Sequence, residues 1–292
     1  MGLVARVRVP LRHPLGGQRF REAELVEGPA GWGEFSPLPG YPCPPERARA
    51  AALEAATVGW PTPVRHEVPV NAFILPVAPE EAAAAAAEAV AAGYSTLKVK
   101  VGDEEDVDRV AAVRDAAGDH VRLRVDANGA WDVEEAISRI SRLARFDLEL
   151  VEQPVASLKD LAEVRFRVPV PVAADECIRS ADDARRLARL EAADVVVLKV
   201  QPLGGVLAAL AVAEAAGVSA IVTSMYETSV GLAAGLALAA ALPELSYACG
   251  LGTAELLMAD VVAEPLLPQN GRLRVRRPVP DPALLARYRV AA

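Results

Sequence analysis

Thr96-Leu97-Lys98-Val99-Lys100-Val101 is a short, β-rich run that carries two lysines, and Arg122-Leu123-Arg124-Val125-Asp126-Ala127-Asn128 repeats its form one unit later. Apolar and charged residues alternate in both, which is the period of a strand. Between them, residues 104–116 have helical spacing, and Gly118 stands where a helix closes. Working outward, the same unit recurs. Strands are expected at 68–74, 96–101, 122–126, 148–152, 170–174, 195–200, 220–224 and 246–250. Helices are expected between them, at about 79–92, 104–116, 132–144, 157–165, 180–191, 205–216 and 228–241. Eight strands joined by seven helices predict an α/β fold, and at this length a (β/α)7β TIM-like barrel rather than an open sheet. No GxGxxG follows the first strand, so a dinucleotide fold has little support.

The flanks read differently. Residues 1–67 are rich in Pro and Gly, with alternating runs at 3–9 and 21–26 and a short helix near 45–56. They are expected to form the N-terminal part of a small α+β capping domain. Residues 68–260 make the barrel, and 261–292, strand-like at 272–275, return to pack toward the cap.

Composition narrows the function classes. A net charge of −8 argues against nucleic acid, whose phosphates need a basic surface. It leaves room for a small anionic carboxylate held by a local cluster of cations. Cys43, Cys177 and Cys249 form no CxxC pair, which suits a reducing compartment. Arg6, Arg8 and Arg12 interrupt any leader-like apolar stretch. The uncharged run 228–243 is shorter than the ~20 residues of a spanning helix, so it reads as a buried helix. The expected location is the cytoplasm, with no membrane partner. Oligomeric state is not set by the sequence, and a monomer is compatible with it.

The chain has four lysines, Lys98, Lys100, Lys159 and Lys199, against a large excess of arginine. Arginine cannot give up its proton near neutral pH and lysine can, so each retained lysine is a functional candidate. Barrel chemistry sits at the C-terminal ends of the strands. There the second strand offers Lys98 and Lys100, the third Arg124 and Asp126, the fourth Glu152, the fifth Asp175 and Glu176, the sixth Lys199. The steps from Lys100 to Asp126, Glu152, Asp175 and Lys199 are 26, 26, 23 and 24 residues, each about one βα unit. One such residue alone is usually solvated or salt-bridged, and Lys98 and Lys100 could simply pair with Asp126 and Glu152. Five in register on consecutive strands point to one site. Three converging carboxylates repel unless a cation lies among them, and oxygen-only ligands favour Mg²⁺ or Mn²⁺ over Zn²⁺. Lys98 beside Lys100 disfavours protonation of its neighbour, which leaves Lys100 nearer to acting as a base. Lys159 and Asp194 read as solvated surface, and Met225 and Tyr226 as packing residues. His13, His66 and His120 are scattered away from the strand ends, against a Ser-His-Asp triad.

At these residues the sequence resembles the enolase superfamily. Lys98-Val-Lys100, Arg124-Val-Asp126-Ala-Asn128, Val151-Glu152-Gln153-Pro154, Ala174-Asp175-Glu176 and Leu198-Lys199 carry the match over nearly the whole barrel. Paired strand-end lysines plus Lys199, without a strand-seven histidine, look like the muconate-lactonizing subgroup. Within it, the run GWGEFSPLPG at 31–40, TSMYETSVG at 223–231 and GLGT at 250–253 are similar to the o-succinylbenzoate synthase family. The resemblance implies a capped (β/α)7β barrel and a metal-dependent dehydration by a carbon–oxygen lyase. It implies Asp126, Glu152 and Asp175 as metal ligands, with Lys100, Lys199 and Lys98 as catalytic lysines. Arg124, Ser224 and Gly252 would contact substrate. Racemisation of N-acylamino acids and muconate cycloisomerisation compete on the same scaffold. No carboxylate follows strand eight until Glu255, which disfavours dipeptide epimerisation. A non-catalytic metal-binding barrel has no need of two poised lysines. The cap is shorter than is usual for the family, and residue 129 is glycine where some relatives carry a bulky cation.

Overall fold

The computed structural model describes residues 3–15 and 17–290; residues 1, 2, 16, 291 and 292 of the expected cap and C-terminal segments lie outside it. The chain opens with an antiparallel three-stranded sheet, β1 (Leu3–Leu15), β2 (Gln18–Gly28) and β3 (Gly31–Phe35), in that order. α1 (Pro45–Thr57) packs on this sheet through Ala48, Ala51, Ala52, Ala55 and Ala56. Glycine is required at 33, because a Cβ there would stand 1.9 Å from the Ala52 carbonyl oxygen of α1. β1 is longer than its alternation suggests. It is the outer strand of the sheet, so Pro10 and Pro14 cost it no ladder bond.

The expected first barrel strand divides. β4 (Glu67–Pro69) pairs antiparallel with a late strand, and β5 (Ala72–Ile74) begins the parallel sheet. Strand and helix then alternate: α2 (Pro79–Ala91), β6 (Thr96–Lys100), α3 (Asp106–Ala117), β7 (Arg122–Asp126), α4 (Val133–Leu143), β8 (Leu148–Glu152), α5 (Leu158–Arg167), β9 (Val172–Ala174) and α6 (Ala181–Leu190). β10 (Val195–Lys199), α7 (Val200–Leu203), α8 (Val206–Ala216), β11 (Ser219–Thr223) and α9 (Ser229–Ala241) complete the run. The sheet order β11-β10-β9-β8-β7-β6-β5 is that of successive right-neighbour strands. The eighth strand is reduced to Cys249, bridged to Val70, and Gly250, bridged to Thr223; these two residues link the ends of the sheet.

Local chemistry explains the boundaries. Asp132, Ser157 and Ser180 cap α4, α5 and α6 by accepting the backbone N–H three residues on. Gly118 and Gly217 end α3 and α8 with positive φ. α9 is buried on nearly every face, and among the described residues no helix is long and apolar enough to cross a membrane.

Two cores result. One fills the space between the parallel sheet and its helices. The other joins Val7, Val9 and Leu25 of the cap to Val230 of α9, Val261 and Leu285. The last segment, β12 (Arg272–Arg274) and α10 (Pro282–Tyr288), pairs with β4 and packs against β1 respectively. Arg277 stacks over Trp60 at 4.1 Å and donates to the Trp32 and Ala55 carbonyls.

Candidate active site

Strand register brings the charged residues to one rim. Lys100 stands opposite Asp126, and Asp126 opposite Glu152. Glu152 faces Ala173, so Asp175 projects from just past the end of β9. Lys199 ends β10 opposite Thr223. Side chains two apart share a face, so Lys98 sits one layer below Lys100 on the same inner surface.

The lysines and carboxylates are directly paired. Lys98 Nζ donates to Asp126 Oδ2 and Glu152 Oε1, both at 2.9 Å. Lys100 Nζ donates to Asp126 Oδ2 and Asn128 Oδ1, both at 2.6 Å. Lys199 Nζ donates to Asp175 Oδ2. Side-chain exposure is 5% for Lys98, 20% for Lys100 and 12% for Lys199, so Lys100 is the most open of the three. Burial works against the charge of Lys98, but Asp126 and Glu152 outweigh it and hold its pKa above the ordinary lysine range. Lys199 is likewise raised, with Asp175 and Glu176 overcoming burial. Burial opposes the Asp126 charge, yet Lys100 and Lys98 keep that carboxyl below the usual range. Glu152 goes the other way, pushed up to about 7 by burial and by the neighbouring Asp126 charge. Burial also raises Asp175.

Among the described residues no group of three His, Cys, Asp or Glu side chains is already gathered at metal-holding geometry. The carboxylates turn to the ammonium groups instead. Their chemistry fits a hard divalent cation all the same. The donors are all oxygen, and they come from three consecutive strand ends, Asp126 beside Glu152 and Asp175 just past β9.

A pocket of about 210 Å³ opens over this rim, lined by Phe73, Lys98, Lys100, Asp126, Asn128, Asp175, Glu176, Lys199 and residues 223–226. The cap contributes Leu15, Leu38 and Tyr41. A larger hollow of about 1020 Å³ lies along β4 and β12, and none of the strand-end lysines or carboxylates lines it.

Sequence reasoning missed Tyr41. Its hydroxyl donates to Asp175 Oδ1 at 2.9 Å, lies 3.2 Å from Lys199 Nζ, and its ring covers that ammonium at 4.3 Å. Burial and the Asp175 charge raise its pKa, so it stays a phenol and a donor. The one signal was its place after the Pro37–Gly40 turn sequence, which no periodicity singles out. The sequence marks Asn128 only as part of a motif; its Nδ2 donates to Glu176 Oε1 at 2.8 Å while its Oδ1 accepts from Lys100.

Of the expected substrate contacts, Ser224 lines the pocket, with its hydroxyl 2.5 Å from Thr253 Oγ1. Arg124 does not line it. Its guanidinium lies below the rim, bonded to Glu149 and the Ala248 carbonyl and stacked on Tyr247. Arg124 stands opposite Lys98 one layer below Asp126, but its guanidinium is held by Glu149, Ala248 and Tyr247 and not at the rim. Gly252 is also away from the pocket, buried against the Asn71 carbonyl and the Tyr94 hydroxyl.

Fold and site together define a class: a capped (β/α)7β barrel with lysines and carboxylates interleaved at its C-terminal rim. Residues 81–281 match the enolase C-terminal domain-like family, and residues 6–56 the enolase N-terminal domain-like family. The o-succinylbenzoate synthase of Thermobifida fusca is 59% identical over 92% of this chain and 86% of its own length. That of Mycolicibacterium smegmatis is 46% identical over 96% and 88%. The chain belongs to the enolase superfamily and, within it, to the o-succinylbenzoate synthase family of hydro-lyases. Among solved structures, muconate lactonizing enzyme from Pseudomonas fluorescens, complexed with muconolactone, superposes with a TM-score of 0.86 at 25% identity, covering 98% of this chain and 97% of that one. N-succinyl Arg/Lys racemase from Bacillus cereus reaches 0.88 at 23% identity over 98% and 96%, a likeness of fold.

Proposed function

We propose that the protein dehydrates 2-succinyl-6-hydroxy-2,4-cyclohexadiene-1-carboxylate to o-succinylbenzoate and water, as a cytoplasmic step of menaquinone biosynthesis. The observation that carries this is the interleaved rim, lysines of β6 and β10 on either side of three carboxylates, in a chain 59% identical to a named o-succinylbenzoate synthase. Asp126, Glu152 and Asp175 would hold a divalent cation, Mg²⁺ by preference with Mn²⁺ as a substitute. When bound, that cation supplies Lewis-acid stabilisation of the substrate carboxylate.

The chain's own groups do the rest. Lys100, the most open lysine, removes the proton α to the carboxylate, and Asp126 and Asn128 orient its amine through the two 2.6 Å contacts. Lys199, on the opposite side, stabilises the negative charge that develops as an enediolate. Lys98 keeps Asp126 and Glu152 neutralised from beneath. Lys100 then returns its proton to the departing hydroxyl, so the C–O bond breaks as water leaves and the ring becomes aromatic. The cap, residues 1–67 with 261–292, closes over the barrel at 68–260 and brings Tyr41 to the site.

Lys100→Ala and Lys199→Ala are each expected to lose at least about 1000-fold in turnover while folding normally. Wild-type turnover in either would remove its assigned role. N-acylamino-acid racemisation is the second reading, because lysines on opposite strands suit proton exchange at either face of an α-carbon.

A further inference from the structure

A second buried polar cluster lies at the seam between cap and barrel, outside the rim just described. Its centre is Glu34 of β3, 3% exposed. The Glu34 carboxylate accepts from the Ser36 hydroxyl at 2.6 Å, the Thr228 N–H at 3.2 Å, the Gly231 N–H at 3.0 Å and the Thr228 hydroxyl. Ser36 extends the cluster: its N–H donates to Gln201 Oε1 at 2.9 Å, and Gln201 Nε2 donates to its hydroxyl at 3.0 Å. The same Gln201 Nε2 reaches Glu227 Oε1 at 3.2 Å, and Glu227 Oε2 accepts the Met225 N–H at 2.6 Å. Arg21 of β2 adds donations to the Met225 carbonyl at 3.1 and 3.3 Å.

Every branch ends on one loop. Residues 224, 225 and 226, which line the pocket, lead directly into Glu227, Thr228 and the first turn of α9. Tyr226 is held at φ +60°, a left-handed backbone that a bulky residue keeps only where its surroundings impose it. The Glu227–Met225 bond folds the chain around Tyr226, and the cap supplies the outer half of the clamp. Fit at this seam is tight: a Cβ on Gly231 would lie 2.7 Å from Glu227 Cβ and 2.9 Å from the Glu34 carboxyl carbon. Two buried carboxylates with the single buried Arg21 are a costly way to join two surfaces, and an apolar seam would do that more cheaply. What they add is a set of directional acceptors for backbone N–H groups of the pocket wall.

We propose that Glu34 is a positioning residue for substrate binding, setting from the cap, through Thr228, Gly231 and the Ser36–Gln201–Glu227 chain, the geometry of the pocket wall at 224–226. Glutamine at this position keeps the volume but presents an amide donor to groups that are themselves donors, so the clamp cannot close in the same form. The wall lines the same pocket as the lysines but carries none of the groups that move the proton or stabilise the developing charge, so its displacement weakens ground-state and transition-state binding alike and appears in KM rather than in kcat.

The choice of substrate rests on the dehydration proposed above. Steady-state kinetics with the cyclohexadiene carboxylate and saturating Mg²⁺ are measured for wild type, Glu34→Gln and Ser36→Ala, with amide hydrogen exchange on the same samples. Glu34→Gln is expected to raise KM about ten- to hundred-fold, the loss of one or two charge-assisted hydrogen bonds, with kcat within about three-fold. Exchange should quicken at residues 225–231 and stay unchanged in α3 to α6. Ser36→Ala, which removes one hydroxyl, should raise KM about three-fold and decides the matter if Glu34→Gln does not fold. Unchanged KM in a folded Glu34→Gln, or a fall in kcat at constant KM, overturns the proposal. If wild type does not turn over this substrate, the dehydration fails. Hydrogen exchange then still judges the clamp: quickening at 225–231 upholds it, and no change overturns it.

Discussion

Replacing Lys98 by Met removes the ammonium that Asp126 and Glu152 share and little else, because the two side chains have similar length. Lys98 is 5% exposed and its partners 1% and 2%, so the perturbation is made inside the protein. Each of its two 2.9 Å bonds joins charged groups and contributes about 1.5–3 kcal/mol. Losing both suggests a cost of about 3–6 kcal/mol, in line with about 3–5 kcal/mol for a broken buried pair. Lys100 still faces Asp126, so the lower part of that range is expected, about 3 kcal/mol. Urea denaturation of wild type and Lys98→Met in excess chelator measures the difference. A divalent cation held by the same carboxylates restores positive charge, so millimolar Mg²⁺ should recover more stability in the variant than in wild type. A loss below about 1 kcal/mol in chelator, with no larger response to Mg²⁺ than wild type shows, would refute the view that Lys98 neutralises this rim.

Other outcomes follow from the same geometry. Arg124→Met removes a buried guanidinium from half-buried Glu149, which keeps a 3.5 Å contact with Arg122, and should cost about 1–3 kcal/mol, yet leave KM within about two-fold, because Arg124 lies below the pocket; denaturation and kinetics on one preparation separate the two. Gly231→Ala forces a Cβ onto Glu227 and Glu34 and should cost about 1–3 kcal/mol in thermal unfolding. Glu34, facing Glu227 and Arg21, has its pKa pushed up to about 7 by burial. An acid raised in the folded state binds more protons there than when unfolded, so its contribution to stability falls as pH rises from about 4.5 to about 7. Unfolding free energies at full Mg²⁺ should therefore fall less steeply over that window in Glu34→Gln than in wild type. Equal slopes would contradict the assignment. Tyr41→Phe removes the donor to Asp175 while keeping the ring over Lys199, and should weaken Mg²⁺ binding by calorimetry about ten-fold.

Much of this is legible in the amino-acid sequence itself. The barrel announced itself because β-branched runs and helix-period segments alternate over some 180 residues, and because four lysines among so many arginines mark their own positions. Asp126, Glu152 and Lys199 fall at strand ends since spacing of one βα unit leaves little freedom. Where reading fell short, the cause was geometry that a period does not contain. Arg124 and Asp126 share a face but not a depth, so one reaches the rim and the other is buried beneath it. The first strand broke at Pro69, where the chain exchanges its partner β12 for β6, and the eighth shrank to two bridges because Cys249 and Gly250 alone reach both neighbours. Tyr41 and Glu34 act across the cap–barrel seam, over sequence separations of 134 and 194 residues, and local pattern is silent about such contacts.

The most direct test of the central claim follows the ultraviolet absorbance of 2-succinyl-6-hydroxy-2,4-cyclohexadiene-1-carboxylate on addition of the protein with Mg²⁺. Conversion to the aromatic product is expected, abolished by chelator, restored by Mg²⁺ and lost in Lys100→Ala. No conversion by a folded, Mg²⁺-saturated wild type that instead exchanges the α-proton of N-acylamino acids would contradict it.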